Sequence, residues 1–240
     1  MTSPLGQQME YQFRLHDRAG RKFLTDLREQ LRVEHEPTYQ HCLRVGDLAR
    51  RFALYLGVEK DVAEDFGLAV SCHDIGKLLV PSEILYKTDK LTRAERGIVK
   101  AHSSNGERLL EGCSFPLVRE AAAIAKHHHE TKAAQGQMDI PASVHIASMC
   151  DMVDAYTSVR SYRENFTLRF ALRTLAEDKR QSFVPEFQRP FLVFMQKVFA
   201  QDLAHEAVVL GLQETKQEQQ ARLRKSCLHG KVRKRHMRVS

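Results

Sequence analysis

No run of 18 or more apolar residues occurs in the 240-residue chain, so the sequence predicts no membrane-spanning helix. The N-terminus has no basic segment leading into an apolar one, so no secretory leader is expected. No Cys-x-x-Cys pair is present, which argues against a zinc ribbon or a dithiol redox motif. The cysteines (Cys42, Cys72, Cys113, Cys150 and Cys227) are odd in number and irregularly spaced, as expected of reduced thiols in a cytoplasmic protein. Cys72 and Cys150 read as small buried fillers. No segment sustains a period-2 pattern, so the fold class is all-α. Residues 1–36 lack the parallel-strand pattern with acidic loop ends of a phosphorylated receiver domain, and no Ser-His-Asp or Cys-His set stands out as a nucleophile. There is no internal repeat.

The net charge of +7 is concentrated at one end. Residues 221–240 carry eight basic side chains and no acid, which leaves about −1 for residues 1–220. By charge, the core is therefore not a nucleic-acid binder. The tail is expected to be a solvated, disordered end, or a weak contact for nucleic acid or an acidic lipid surface. Three regions are expected: a helical extension over 1–36, a catalytic domain over 37–215 and the basic tail over 216–240.

Hydrophobic spacing predicts a charged helical stretch over about 7–33 with a break near Gly20, then helices over about 39–56 and 61–79. Gly57 is a plausible C-cap. Thr92 and Glu95 form a capping-box signature for a helix that carries His102 and runs through Leu109 and Leu110 to Gly112. Further helices are expected from Phe115-Pro116 to Glu130, and over about 141–158, 167–179, 185–201 and 205–224. Phe183, Phe187, Phe191, Phe194 and Phe199 give the C-terminal region an aromatic face, read as packing on the domain in preference to a homodimer interface.

The stretch Ser71-Cys72-His73-Asp74-Ile75-Gly76-Lys77 is unusual because it puts an adjacent imidazole and carboxylate inside an apolar segment. Desolvating that pair is costly unless something compensates. A structural His-Asp hydrogen bond is one answer. A pair of metal ions bridged by the two oxygens of Asp74 is the other. Lys77, one helical turn on, could meet an anionic group brought to the metals. His41, His102, His128, His129 and Asp151 complete a candidate ligand set, drawn from different predicted helices. Each alone is more often structural; it is their joint occurrence that points to two metals. Asp154, three residues after Asp151, either orients a ligand or is a helix-end polar group.

In order, "HCLRVGDLA", "HDIGKLLVPSEIL", "LTRAERGIVKAHSSNGERLL", "AKHHHE" and "ASMCDMVDAYTSVRSYR" resemble the motifs of the HD superfamily of metal-dependent phosphohydrolases. Within it they look like the HD-GYP cyclic di-GMP phosphodiesterases, over about residues 38–165. The resemblance implies metal ligands at His41, His73, Asp74, His102, His128, His129 and Asp151, and phosphate contacts at Lys77, Arg160 and Arg163. His128 and His129 are preferred to His127 because the family's pair directly precedes the glutamate, here Glu130. Two departures stand out. Gly136-Gln137-Met138 stands roughly where the family has Gly-Tyr-Pro, and Pro37 occupies the position of the glutamate found in three-metal members. Two metals are therefore expected.

Histidine and carboxylate donors without thiolates suit iron, manganese or another first-row metal. Two such ions would lower the pKa of a water held between them, giving a hydroxide that attacks phosphorus with Asp74 and Lys77 as the catalytic pair. The expected reaction is hydrolysis of a cyclic dinucleotide, foremost cyclic di-GMP. The alternatives are another nucleotide substrate, or an inactive module that binds a nucleotide or a partner.

Overall fold

The computed structural model describes residues 2–13, 17–130, 140–158, 167–178 and 183–203. Arg160, Arg163, Gly136-Gln137-Met138, the helix expected over 205–224 and the basic tail lie outside the described residues. All described elements are helical: α1 (Pro4–Phe13), α2 (Arg18–Glu34), α3 (Glu36–Tyr55), α4 (Lys60–Val70), a 3-10 helix (Ile75–Leu79), α5 (Ser82–Leu85), α6 (Arg93–Lys100), α7 (His102–Leu110), α8 (Pro116–His127), α9 (Ala142–Thr157), α10 (Leu168–Glu177) and α11 (Pro185–Val198). The protein is an all-α bundle, and none of the described helices is long and apolar enough to cross a membrane. Residues up to Met195 form one compact unit. The second unit is described only through Leu203, as the end of α11 and a further helical turn.

The core follows the sequence periodicities. α3 buries Cys42, Val45, Ala49, Phe52 and Ala53 along one face and packs on α2, α4 and α9. Phe66 of α4 meets Phe13 of α1 edge-on at 5.2 Å between ring centroids, and Phe52 meets Phe191 and Phe194 of α11, each at 5.2 Å. Phe187, Phe191 and Phe194 are packed inside the unit, where an edge-on pair such as Phe52 and Phe191 adds about 0.5–1.5 kcal/mol beyond burial. α3 ends at Gly57, whose φ of +86° supplies the left-handed conformation that closes the helix. Thr92 and Glu95 form the expected capping box at the start of α6.

Three expected boundaries are corrected, the first being that the helix expected from Thr92 to Gly112 is broken at Ala101 into α6 and α7. The N-terminal break lies before Gly20, which is inside α2; Asp17 accepts the Gly20 amide at 2.7 Å and starts that helix. The helix expected over 61–79 ends at Val70, and His73 and Asp74 sit in a turn. From there the backbone tightens to three-residue bonds, with His73 N–H donating to Val70 O at 3.0 Å and Lys77 N–H to Asp74 O at 2.9 Å. The His73 ring takes the same Val70 carbonyl, 2.9 Å from Nδ1, and so competes with continuation of the helix. Apolar residues continue through this turn, so periodicity alone does not report the change.

The turn is seated against α7 by Gly76. A Cβ at Gly76 would overlap the His102 carbonyl oxygen and the Gly106 amide nitrogen, both backbone atoms that cannot swing aside. Gly76→Ala is therefore expected to destabilise the protein by about 2–3 kcal/mol, as overpacking does. Gly97→Ala, where nothing lies within 4 Å of the added Cβ, is expected to be neutral or stabilising by up to about 1 kcal/mol. Urea midpoints of the two variants check this contrast.

Candidate metal centre

Five segments deliver the polar cluster. His41 comes from α3, His73 and Asp74 from the turn after α4, His102 from the first position of α7, His128 and His129 from the end of α8, and Asp151 from α9. All except His129 and Asp151 are buried. The cluster is assembled by packing of α3 on α9, of α7 on α8, and of α7 on the 3-10 helix. Ser148 of α9 also donates to the His128 carbonyl at 2.6 Å, tying the end of α8 to the helix that carries Asp151.

The imidazoles are oriented by local oxygen acceptors. His73 Nδ1 lies 2.9 Å from Val70 O, His102 Nδ1 2.7 Å from Val99 O, and His128 Nδ1 2.9 Å from Ala125 O. A carbonyl oxygen can only accept, so each Nδ1 carries a hydrogen and each ring turns its Nε2 inward. For His41 the acceptor is Asp154, 2.7 Å from Nδ1, and Arg44 grips the same carboxylate at 2.7 and 3.0 Å. Asp154 therefore orients a candidate ligand, one of the two roles expected for it. Arg44 went unnoticed in the sequence, although it follows His41 by three residues on the same helix.

The inward nitrogens converge on Asp74. Its Oδ1 lies 3.2 Å from His102 Nε2 and 3.9 Å from His128 Nε2, and its Oδ2 lies 3.7 Å from both His41 Nε2 and His73 Nε2. Nε2 atoms also face one another, His41 to His73 at 3.3 Å, His102 to His128 at 3.4 Å and His129 to His102 at 3.2 Å. Lone pairs at such distances need a proton or a cation between them. Three donor groups could each hold an ion: His41, His73 and Asp74; His102, His128 and His129; and His73, His128 and Asp151. The donor chemistry, imidazole nitrogens and carboxylate oxygens without a thiolate, fits divalent cations. His127 is turned away, its Nδ1 2.7 Å from Glu130 Oε1.

Electrostatics follow from the same packing. Burial works against the Asp74 carboxylate, but Lys77 and the surrounding histidines hold its pKa well below the usual range. Lys77 Nζ lies 2.5 Å from Asp74 Oδ2, because side chains three apart nearly eclipse in a 3-10 helix. Burial lowers the pKa values of His73 and His129 and, with neighbouring imidazoles, brings His128 to about 3. These rings are neutral and ligand-competent at pH 7. Burial also opposes charge on His41, but hydrogen bonds to Asp151 and Asp154 outweigh it and raise its pKa to about 9. One sequence-predicted group is thereby protonated when no cation competes.

An all-α bundle that gathers histidines and aspartates around one buried carboxylate has the donor set of a metal-dependent hydrolase. Residues 38–156 match the family model of the HD domain, and the chain carries a domain of this superfamily of metal-dependent phosphohydrolases. It is 35% identical over 158 residues to a cyclic di-GMP phosphodiesterase of Pseudomonas aeruginosa, covering 62% of this chain and 37% of that protein. A cyclic di-GMP phosphodiesterase of Thermotoga maritima is 33% identical, covering 65% of this chain and 44% of its own length. A 3'3'-cGAMP-specific phosphodiesterase of Vibrio cholerae is 28% identical, covering 70% and 33%. The chain thus spans less than half the length of these curated relatives. The HD domain of the L. monocytogenes phosphodiesterase PgpH, solved with cyclic-di-AMP, superposes with a TM-score of 0.51 at 20% identity, covering 72% of this chain and 97% of that one.

Proton linkage predicts how the chelator-treated protein responds to pH. His41, raised to about 9 in the fold, contributes stability that is present below pH 6.5 and lost as pH rises through 9. Asp154, held at about 2, contributes stability present above pH 3.8 and lost as pH falls through 2. His128, at about 3, is protonated first in the unfolded chain, so it destabilises the fold as pH falls from 6.5 towards 3. Urea midpoints should therefore peak near pH 6–7, with an alkaline loss on the order of 2–3 kcal/mol that His41→Gln flattens. An unchanged alkaline slope in His41→Gln would refute the assignment.

Proposed function

We propose that the domain is a phosphodiesterase that hydrolyses a cyclic dinucleotide, with cyclic di-GMP as the first candidate. The observation that carries this reading is the position of Asp74, with one oxygen towards His102 and His128 and the other towards His41 and His73. Such a carboxylate suits a two-ion site, and the all-nitrogen-and-oxygen donor set suits iron or manganese. His41, His73, Asp74, His102, His128, His129 and Asp151 would hold the ions. When bound, the ions supply Lewis acidity and lower the pKa of a water at neutral pH.

The chain's own groups have distinct tasks in this reading. Asp154 and Arg44 hold His41 in register, and the Val70, Val99 and Ala125 carbonyls do the same for the other rings. As a ligand, His41 would give up the proton it otherwise holds between Asp151 and Asp154. Lys77 balances Asp74 and offsets negative charge that develops on the phosphoryl oxygens. Arg160 and Arg163, outside the described residues, are the proposed further phosphate contacts. Cyclic di-GMP is preferred because the relatives of higher identity carry that activity in their names. The absent Gly-Tyr-Pro and the cGAMP-specific relatives favour a second reading, in which another cyclic dinucleotide is the substrate.

The test is turnover of cyclic di-GMP, cyclic di-AMP and 3'3'-cGAMP by protein loaded anaerobically with iron or manganese, with products separated by chromatography. Asp74→Ala is expected to abolish turnover, by at least about a thousandfold, and Lys77→Ala to lower kcat by about a hundredfold. No turnover of any of the three, with two metals bound, would refute the reading. Asp154→Ala is expected to weaken metal affinity by about 10–100-fold while leaving the fold intact, measured by competition with a chromophoric chelator.

A further inference from the structure

The segment between the His73-Asp74 turn and His102 carries an aromatic side chain that the metal centre does not use. Tyr86 closes the short helix α5 and is 54% exposed. One side of its ring leans on His35, with centroids 4.5 Å apart and planes at 51°. His35 is itself buried and fixed, because it ends α2, begins α3 and accepts the Thr38 amide on Nδ1 at 3.1 Å. On the other side of Tyr86 in the chain, Lys87 is anchored to both oxygens of Glu95, at 2.7 and 2.9 Å. Glu95 is in turn the capping-box residue of α6. Tyr86 is thus an exposed ring on a fixed base, not a side chain on a loose loop.

Its position connects it to the reactive centre. α2, which His35 ends, packs on the 3-10 helix that carries Lys77, and α3, which His35 begins, carries His41; Tyr86 is the next ring out. The other large apolar side chains exposed in this segment are Leu79, two residues after Lys77, and Ile98 of α6, at 42% and 41%. A phosphodiester held at Asp74 and Lys77 would carry its nucleobases outward from a centre of charged and polar groups. A nucleobase has little to gain from those groups, but it does gain from a rigid aromatic face, as single-stranded nucleic acids do on aromatic platforms.

We propose that Tyr86, supported by His35, is the stacking platform for a nucleobase of the substrate. The inference rests on the cyclic-dinucleotide reading and adds a residue that selects nucleotide diesters over other phosphodiesters. His35 is a positioning residue, acting through Tyr86. The contact serves ground state and transition state alike, so it acts on KM more than on kcat.

The experiment is steady-state kinetics on the metal-loaded full chain with cyclic di-GMP, cyclic di-AMP and 3'3'-cGAMP, comparing wild type with Tyr86→Ala, Tyr86→Leu and Tyr86→Phe. Bound metal and thermal midpoint are measured on each. The expected result is a KM about tenfold higher for the alanine and leucine variants, with kcat within about twofold. Tyr86→Phe keeps the aromatic face and is expected to retain the wild-type KM. An unchanged KM in Tyr86→Ala would overturn the platform and leave the phosphodiesterase reading standing. Equal losses in all three variants, or lost metal, would give Tyr86 a merely structural role and also overturn it. If the wild type binds two metals but turns over none of the three dinucleotides, the functional reading fails and the platform with it.

Discussion

The structure depends on keeping one buried carboxylate ionised. Asp74 is almost wholly removed from water, and an isolated carboxylate there would neutralise or unfold its surroundings. Lys77 lies against one oxygen, and four imidazoles surround both. Because the rings are contributed by α3, the turn after α4, α7 and α8, satisfying Asp74 requires those elements to meet at one point. The bundle is thereby organised around a charge as much as around its phenylalanine core.

Local backbone chemistry makes that meeting specific. Three of the histidines use Nδ1 on a carbonyl three residues earlier in the chain, Val70 for His73, Val99 for His102 and Ala125 for His128. Each lies at or just beyond a helix end, where carbonyls have lost their intrahelical partners. One arrangement uses a carbonyl at a helix end and aims Nε2 inward. His41 lies inside α3, where no such carbonyl is free, and it needs Asp154 with Arg44 in its place. This accounts for the extra acid on α9 one turn beyond Asp151, and for the different protonation of His41.

Much of the centre was legible in the sequence because its residues carry chemistry that a core rarely buries. His73-Asp74 announces itself within apolar neighbours, and His128-His129 before Glu130 separates from His127 by motif position. The periodic helices of α3 and α9 and the capping box of α6 follow from spacing. What spacing could not give is conformation at fixed hydrophobicity. The chain remains apolar through Val70, Ile75 and Leu78, yet it leaves the α-helix there, because His73 takes the Val70 carbonyl and Gly76 must lie against the backbone of His102 and Gly106. Arg44 and His35 were equally hidden. One reads as a solvated helix charge and the other as a loop histidine until tertiary contacts assign them.

The same division separates positions that can change from positions that cannot. At 20% identity to a solved HD domain the fold is similar, with a TM-score of 0.51. Volume-conserving exchanges in a bundle core cost little, because packing asks mainly for size and apolarity. The centre asks for more: a carboxylate, imidazoles at helix ends and a glycine where two backbones touch. These positions are coupled, since loss of the Gly76 contact would move Asp74 away from His102, and loss of His102 would leave Asp74 Oδ1 short of a partner. Drift is therefore free at Leu43 or Val62 and costly at Gly76, although none of these three is a candidate ligand. Tyr86, exposed beside His35, faces neither constraint. On the proposed reading it is a place where a hydrolytic centre can be fitted to a particular substrate.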